Sequence, residues 1–160
     1  MDAQEIVRKQ LLDLLRGGNA HMGFAEAFDH FPMEAINASL AGSDYTPWRL
    51  LEHIRIAQWD ILEFVRDPNY KSPPWPAGYW PSKGLSADRQ KWEGSLKSFW
   101  SDLQDMQAII EDPQTDLFSD LPHAPGYTIL REVLVLADHN AYHMGEFAMM
   151  RQVMDTWVKG

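Results

Sequence analysis

From Trp92 to Ile110 the chain repeats one pattern: Trp92, Leu96, Phe99, Leu103, Met106 and Ile110 follow one another at alternating spacings of four and three. An α-helix turns once in about 3.6 residues, so these side chains form one unbroken apolar stripe. Such a stripe must be buried against other elements, and no segment of this sequence shows the two-residue alternation that predicts a strand. Its partners are therefore expected to be helices. The stripe lies in a helix predicted over 86–112, which the Asp112-Pro113 step stops.

Three further segments carry stripes of their own. Over 2–16, Asp2 is placed to cap a helix marked by Val7, Leu11 and Leu14, which Gly17-Gly18 ends. Thr46 and Pro47 make a strong helix start, a capping hydroxyl followed by a proline whose missing N–H costs nothing in the first turn. Leu50, Ile54, Ala57, Ile61 and Phe64 follow on one face, and Asp67-Pro68 closes that helix. The last helix is predicted over 128–156, with Ile129, Val133, Leu136, Asn140, His143, Phe147, Met150 and Met154 in line. A short helix is expected at Phe24–Phe28, and Gly42-Ser43-Asp44 reads as loop, as do 67–85 and 113–127. The expected fold is all-α, a four-helix bundle, with one domain spanning 1–160.

Composition excludes several functions. The chain has no cysteine, so disulfides, thiolate metal sites and a cysteine nucleophile are ruled out. Its net charge of −9 argues against nucleic acid and anionic membranes as partners, since affinity for phosphate comes largely from Lys and Arg. No apolar run is long enough to cross a bilayer, and the polar, acidic Met1-Asp2-Ala3-Gln4-Glu5 does not read as a signal peptide. The expected compartment is the cytoplasm.

Chemistry points to histidine. Of six histidines, His139 and His143 stand four apart in the last helix, one turn above each other on the same face. His143 occupies a core position in the stripe, and His139 follows Leu136 by three at its edge. His53 follows Leu50 by three, beside Ile54, at the edge of the apolar face of the helix that begins at Pro47. An imidazole facing a core needs partners for both ring nitrogens. Two helices turning histidine toward one core match the way bundles build metal sites. Three nitrogen ligands without thiolate suit Zn²⁺, Ni²⁺, Fe²⁺ or Mn²⁺ and leave a coordination position open, as in catalytic sites. His21, His30 and His123 fall in predicted loops and read as surface residues.

Other residues gather around this set. Glu146, three after His143, reads as a fourth ligand, an acceptor for a ligand's second nitrogen, or a base; the bland alternative is a surface carboxylate. Tyr142 is a further candidate for chemistry, while Asp60 and Arg49 read as a polar edge. The stretch Ser72–Pro81 is rich in proline and aromatics. It reads as an ordered connection whose Trp75, Tyr79 and Trp80 pack on the bundle and line a substrate pocket, in preference to a proline-rich ligand for another domain.

Pro47-Trp48-Arg49-Leu50-Leu51-Glu52-His53-Ile54, then His139-Asn140-Ala141-Tyr142-His143-Met144-Gly145-Glu146-Phe147, with an aromatic connection between them, resembles the DinB/YfiT-like superfamily of metal-dependent enzymes. The likeness runs through the whole chain in helix order and motif placement. It implies a four-helix bundle with unusual connectivity, a three-histidine metal site on His53, His139 and His143, and often a homodimer. The superfamily includes S-transferases and isomerases that use low-molecular-weight thiols. Glu146 stands where many members carry glutamine. The reading is a metal-dependent enzyme acting on a small molecule, first of all a small-thiol-dependent S-transferase. A metal-dependent hydrolase is the near alternative, and a metal-binding or interaction bundle without turnover is the competing class.

Overall fold

The computed structural model describes residues 2–40 and 45–158, so the loop reading for Gly42-Ser43-Asp44 lies outside it. The chain is mostly helical, in keeping with the all-α class expected, and is built on helices α1 (Ala3–Arg16), α2 (Phe24–Phe28), α3 (Pro47–Arg66), α4 (Arg89–Glu111) and α5 (Ile129–Val153). Their starts are set locally. Asp2 and Glu5 form a reciprocal capping box on α1. Thr46, Asp88 and Thr128 each accept a backbone N–H from the first turn of α3, α4 and α5. α4 and α5 are shorter than the 86–112 and 128–156 expected: α4 begins only after its Asp88 cap, and α5 begins after its Thr128 cap and ends at Val153.

α3 packs along both α4 and α5, and α1 lies against the same two helices. The stripes meet in one hydrophobic cluster. Phe99, Met106 and Ile110 of α4 face Leu50, Ile54 and Leu62 of α3 and Val133, Leu136 and Phe147 of α5, all fully buried. α2 adds Phe24 and Phe28, and Phe28 meets Phe99 and Phe147 edge-on with ring centres 5.6 and 5.0 Å away. Gln58, also fully buried, donates to the Phe99 carbonyl at 2.6 Å and accepts from Asn140 at 3.0 Å, so one polar link joins α3, α4 and α5. Arg151, 1% exposed, donates to the carbonyls of Ala27, Asp29 and Thr156 and so ties α2 and the tail to α5.

Three expectations are corrected. Leu14 is exposed and Leu15 takes its place in the core. Leu11, Leu14 and Leu15 all satisfy helical spacing, so only the position of the neighbouring helices chooses between them. The segment 113–127 is more than loop: Asp120–Leu121 (β1) pairs antiparallel with Ala124–Thr128 (β2). A two-residue strand is too short to alternate, and Pro125 and Gly126 disguise its partner. His123, in that hairpin, is half-buried, with Nε2 2.8 Å from the Phe64 carbonyl. Among the described residues no helix is long and apolar enough to cross a membrane.

Candidate metal centre

His53 lies in the second turn of α3, and His139 and His143 lie one turn apart in α5. Because α3 and α5 pack along each other, the three rings converge. His53 Nε2 stands 3.1 Å from His143 Nε2 and 3.3 Å from His139 Nε2. His53 and His143 are buried and His139 is half-buried. Among the described residues, these three form the histidine or carboxylate cluster able to hold a metal ion, with donor atoms all within 4.8 Å of one another.

The far side of each ring determines what its near side can do. His53 Nδ1 is 2.8 Å from the backbone carbonyl of Tyr79, and His143 Nδ1 is 2.7 Å from Glu146 Oε2. A carbonyl and a carboxylate only accept, so both Nδ1 atoms carry the proton. In the neutral rings both Nε2 atoms are then lone pairs, pointed at each other across 3.1 Å. Two lone pairs repel at that distance unless a cation or a proton lies between them. Burial opposes the proton. It holds His53 below the ordinary histidine range, only partly offset by the hydrogen bond to Tyr79. His139 is pushed down to about 4 by burial and by the two other imidazoles, with Asn140 pulling the other way. A divalent ion fits instead. Ligands about 2.0–2.1 Å from zinc, at tetrahedral to right angles, are themselves about 2.9–3.4 Å apart.

His53 is held on two further sides. Trp80 stacks on its ring with centres 3.8 Å apart and planes within 5°. Tyr45 in turn stacks on Trp80 at 4.8 Å. The segment carrying Trp80 is fastened to α3 on both flanks: the Tyr79 hydroxyl donates to Asp60 Oδ2 at 2.7 Å, and Arg49 donates to the Pro81 carbonyl from Nε and Nη2. On α5, Tyr142 is exposed, with its ring 4.9 Å from that of His143, and neighbouring Glu146 pushes its phenol upward.

The residues singled out in the sequence thus divide. His53, His139, His143, Glu146, Tyr142 and Trp80 come together. Tyr79 contributes its backbone carbonyl and its hydroxyl, and its ring meets Trp75 rather than a histidine. Trp75 is 76% exposed. Glu146 sits behind the His143 ring on Nδ1, the place of an orienting acceptor. Arg49 and Asp60, read as a polar edge, clamp the connection that supports His53. Tyr45 carries no signal in the sequence, since it precedes the cap of α3 and belongs to no stripe. No protein-family model, no curated protein and no solved structure matches this chain.

Proposed function

We propose that this chain is a metal-dependent enzyme of the DinB/YfiT-like type, a single-domain four-helix bundle holding one divalent ion on His53, His139 and His143. The observation that carries this reading is the pair of inward Nε2 lone pairs 3.1 Å apart, with a third imidazole nitrogen 3.3 Å from one of them. Zn²⁺, Ni²⁺, Fe²⁺ and Mn²⁺ all suit such a donor set. Three protein ligands leave a position open, where a bound ion would supply Lewis acidity and lower the pKa of a thiol or a water.

The reaction proposed is transfer of a small thiol's sulfur to the carbon of a small electrophile: the thiol gives up its proton, the C–S bond forms, and the electrophile's leaving group departs with the electron pair of the bond that breaks. Glu146 keeps His143 in the tautomer that presents Nε2 inward. Its side chain is 32% exposed, so it also reaches solvent beside the open position. Tyr142, Tyr45 and Trp80 give that side an aromatic rim suited to an apolar electrophile. Hydrolysis is the second reading, favoured by the same half-exposed carboxylate, which could take a proton from water. A homodimer is part of the proposal. Leu134, Val135, Tyr142, Met149 and Val153 give α5 an exposed face that is largely apolar, the kind of surface a second copy would cover.

The test is a panel of small thiols with an activated alkyl or aryl electrophile, using metal-stripped and metal-restored protein. The transferase reading expects thiol consumption that returns with metal and falls at least 100-fold in His143→Ala. Metal-restored hydrolysis of an activated ester or amide with no thiol consumption would favour the second reading. No metal-dependent turnover of either kind would leave a binding protein.

A further inference from the structure

We propose that Asp60, which touches none of the three histidines, and the Tyr79 hydroxyl that it holds are a positioning pair for His53, and that the Tyr79-Trp80-Pro81 segment is the device through which they act. The consequence for metal affinity rests on the metal reading above; the effect on the histidine does not.

Four contacts carry the inference. His53 gives its Nδ1 proton to the Tyr79 carbonyl, which makes Nε2 the inward donor atom. That carbonyl stands at the end of a single 3-10 turn, Ala77–Tyr79, and no helix or sheet ladder continues past it to hold it in place. It is fixed because the same residue's hydroxyl is anchored to Asp60, a buried carboxylate two turns further along α3. At the other flank Arg49 grips the Pro81 carbonyl. Arg49 and Asp60 are eleven residues apart on α3, roughly 16 Å at 1.5 Å per residue. His53 lies between them, so the loop is fastened across the imidazole it serves. Between the two fastenings Trp80 lies flat on the His53 ring.

The division of labour follows from the geometry. Stacking fixes the plane of the ring but permits either tautomer. The carbonyl selects the tautomer but only while it stays in register with Nδ1. The phenol–carboxylate bond keeps that register. It is short and shielded: burial and Asp60 together push the Tyr79 phenol up to about 12, so it remains a donor across the physiological range. Tyr70, whose phenol is also raised by burial and by Asp60, borders the same carboxylate. An amide at position 60 would still accept the Tyr79 hydroxyl, whereas an alkyl side chain would not. The essential property of Asp60 is therefore acceptance rather than charge.

Tautomer spectroscopy on metal-free protein labelled with ¹⁵N-histidine, followed by Zn²⁺ titration against a chromophoric chelator, tests this. Wild type is expected to show His53 as the Nδ1–H tautomer. In Tyr79→Phe and Asp60→Leu the ring should become a tautomer mixture, and Zn²⁺ affinity should fall about 3- to 30-fold, at or below the range seen when a direct partner of a ligand is lost. Asp60→Asn should restore both, and the His143 tautomer should stay unchanged throughout, which general loosening of the fold would not produce. An unaltered His53 tautomer in Tyr79→Phe overturns the proposal. So does a changed tautomer with unchanged Zn²⁺ affinity. If wild type binds no Zn²⁺ while the tautomer still responds to Tyr79→Phe and is rescued by Asp60→Asn, the positioning role stands and the metal reading fails.

Discussion

At the scale of single residues, each imidazole of the cluster is set by what lies behind it. Glu146 sits behind His143, so Glu146→Gln should keep a neutral acceptor and lower metal affinity modestly, while Glu146→Ala should lower it about 10- to 100-fold, read by chelator competition. His139 is held less firmly: no acceptor meets its buried Nδ1 at good hydrogen-bond geometry, and the neighbouring Asn140 only partly offsets the effect of burial. A histidine held neutral by burial binds fewer protons when folded than when unfolded, so acidification favours unfolding. For His139 the loss should run from about pH 6.5 down to about pH 4, its value in the folded protein. Metal-free protein should lose on the order of 2 kcal/mol across that window, and His139→Gln should flatten the profile, as followed by urea unfolding at several pH values. The three histidines were legible in the sequence because each falls on or beside an apolar stripe. Their second-nitrogen partners were legible only for His143, whose acceptor is three residues away on the same helix. The partner of His53 is a backbone carbonyl 26 residues distant, and a carbonyl leaves no trace in residue identity.

At the scale of elements, the starts of α1, α3 and α5 were readable from their caps, that of α4 was placed three residues early because the Asp88 cap went unread, and one face of α3 was not legible. Thr46 caps α3 as its sequence predicts, and Thr46→Ala should cost about 1 kcal/mol of stability, measured by denaturant unfolding. The α4 stripe needs no tertiary information, because every one of its spacings agrees with one face. α3 behaves differently. Trp48, Leu51, Gln58, Leu62 and Val65 are buried beyond the single face expected, since α4 and α5 cover it from two sides. The connection between α3 and α4 was legible as ordered and aromatic. Its use was not, because proline and tryptophan content says nothing about which ring meets which histidine. Trp80→Ala should weaken metal binding and quench less of the protein's fluorescence on metal addition than wild type does. Trp75→Ala should have a smaller effect on both, since that side chain is largely exposed and its ring contact is with Tyr79 rather than a histidine.

At the scale of the whole molecule, the core and the proposed centre are one construction. α3 and α5 bring His53 to His139 and His143 only because Ile54, Leu136 and Phe147 pack between the same helices. The Gln58–Asn140 bond ties those helices together next to the site. If α5 also forms the proposed dimer face, Met149→Glu should convert a dimer to a monomer in light scattering while leaving metal affinity unchanged, since Met149 lies outside the donor set; a monomeric wild type would remove the dimer from the account. The central claim is the metal centre itself. Its most direct test is metal content per chain after metal-replete purification and dialysis, with wild type beside His143→Ala. The account predicts close to one divalent ion per wild-type chain and essentially none in the mutant; equal retention by both proteins, or none in either, would contradict it.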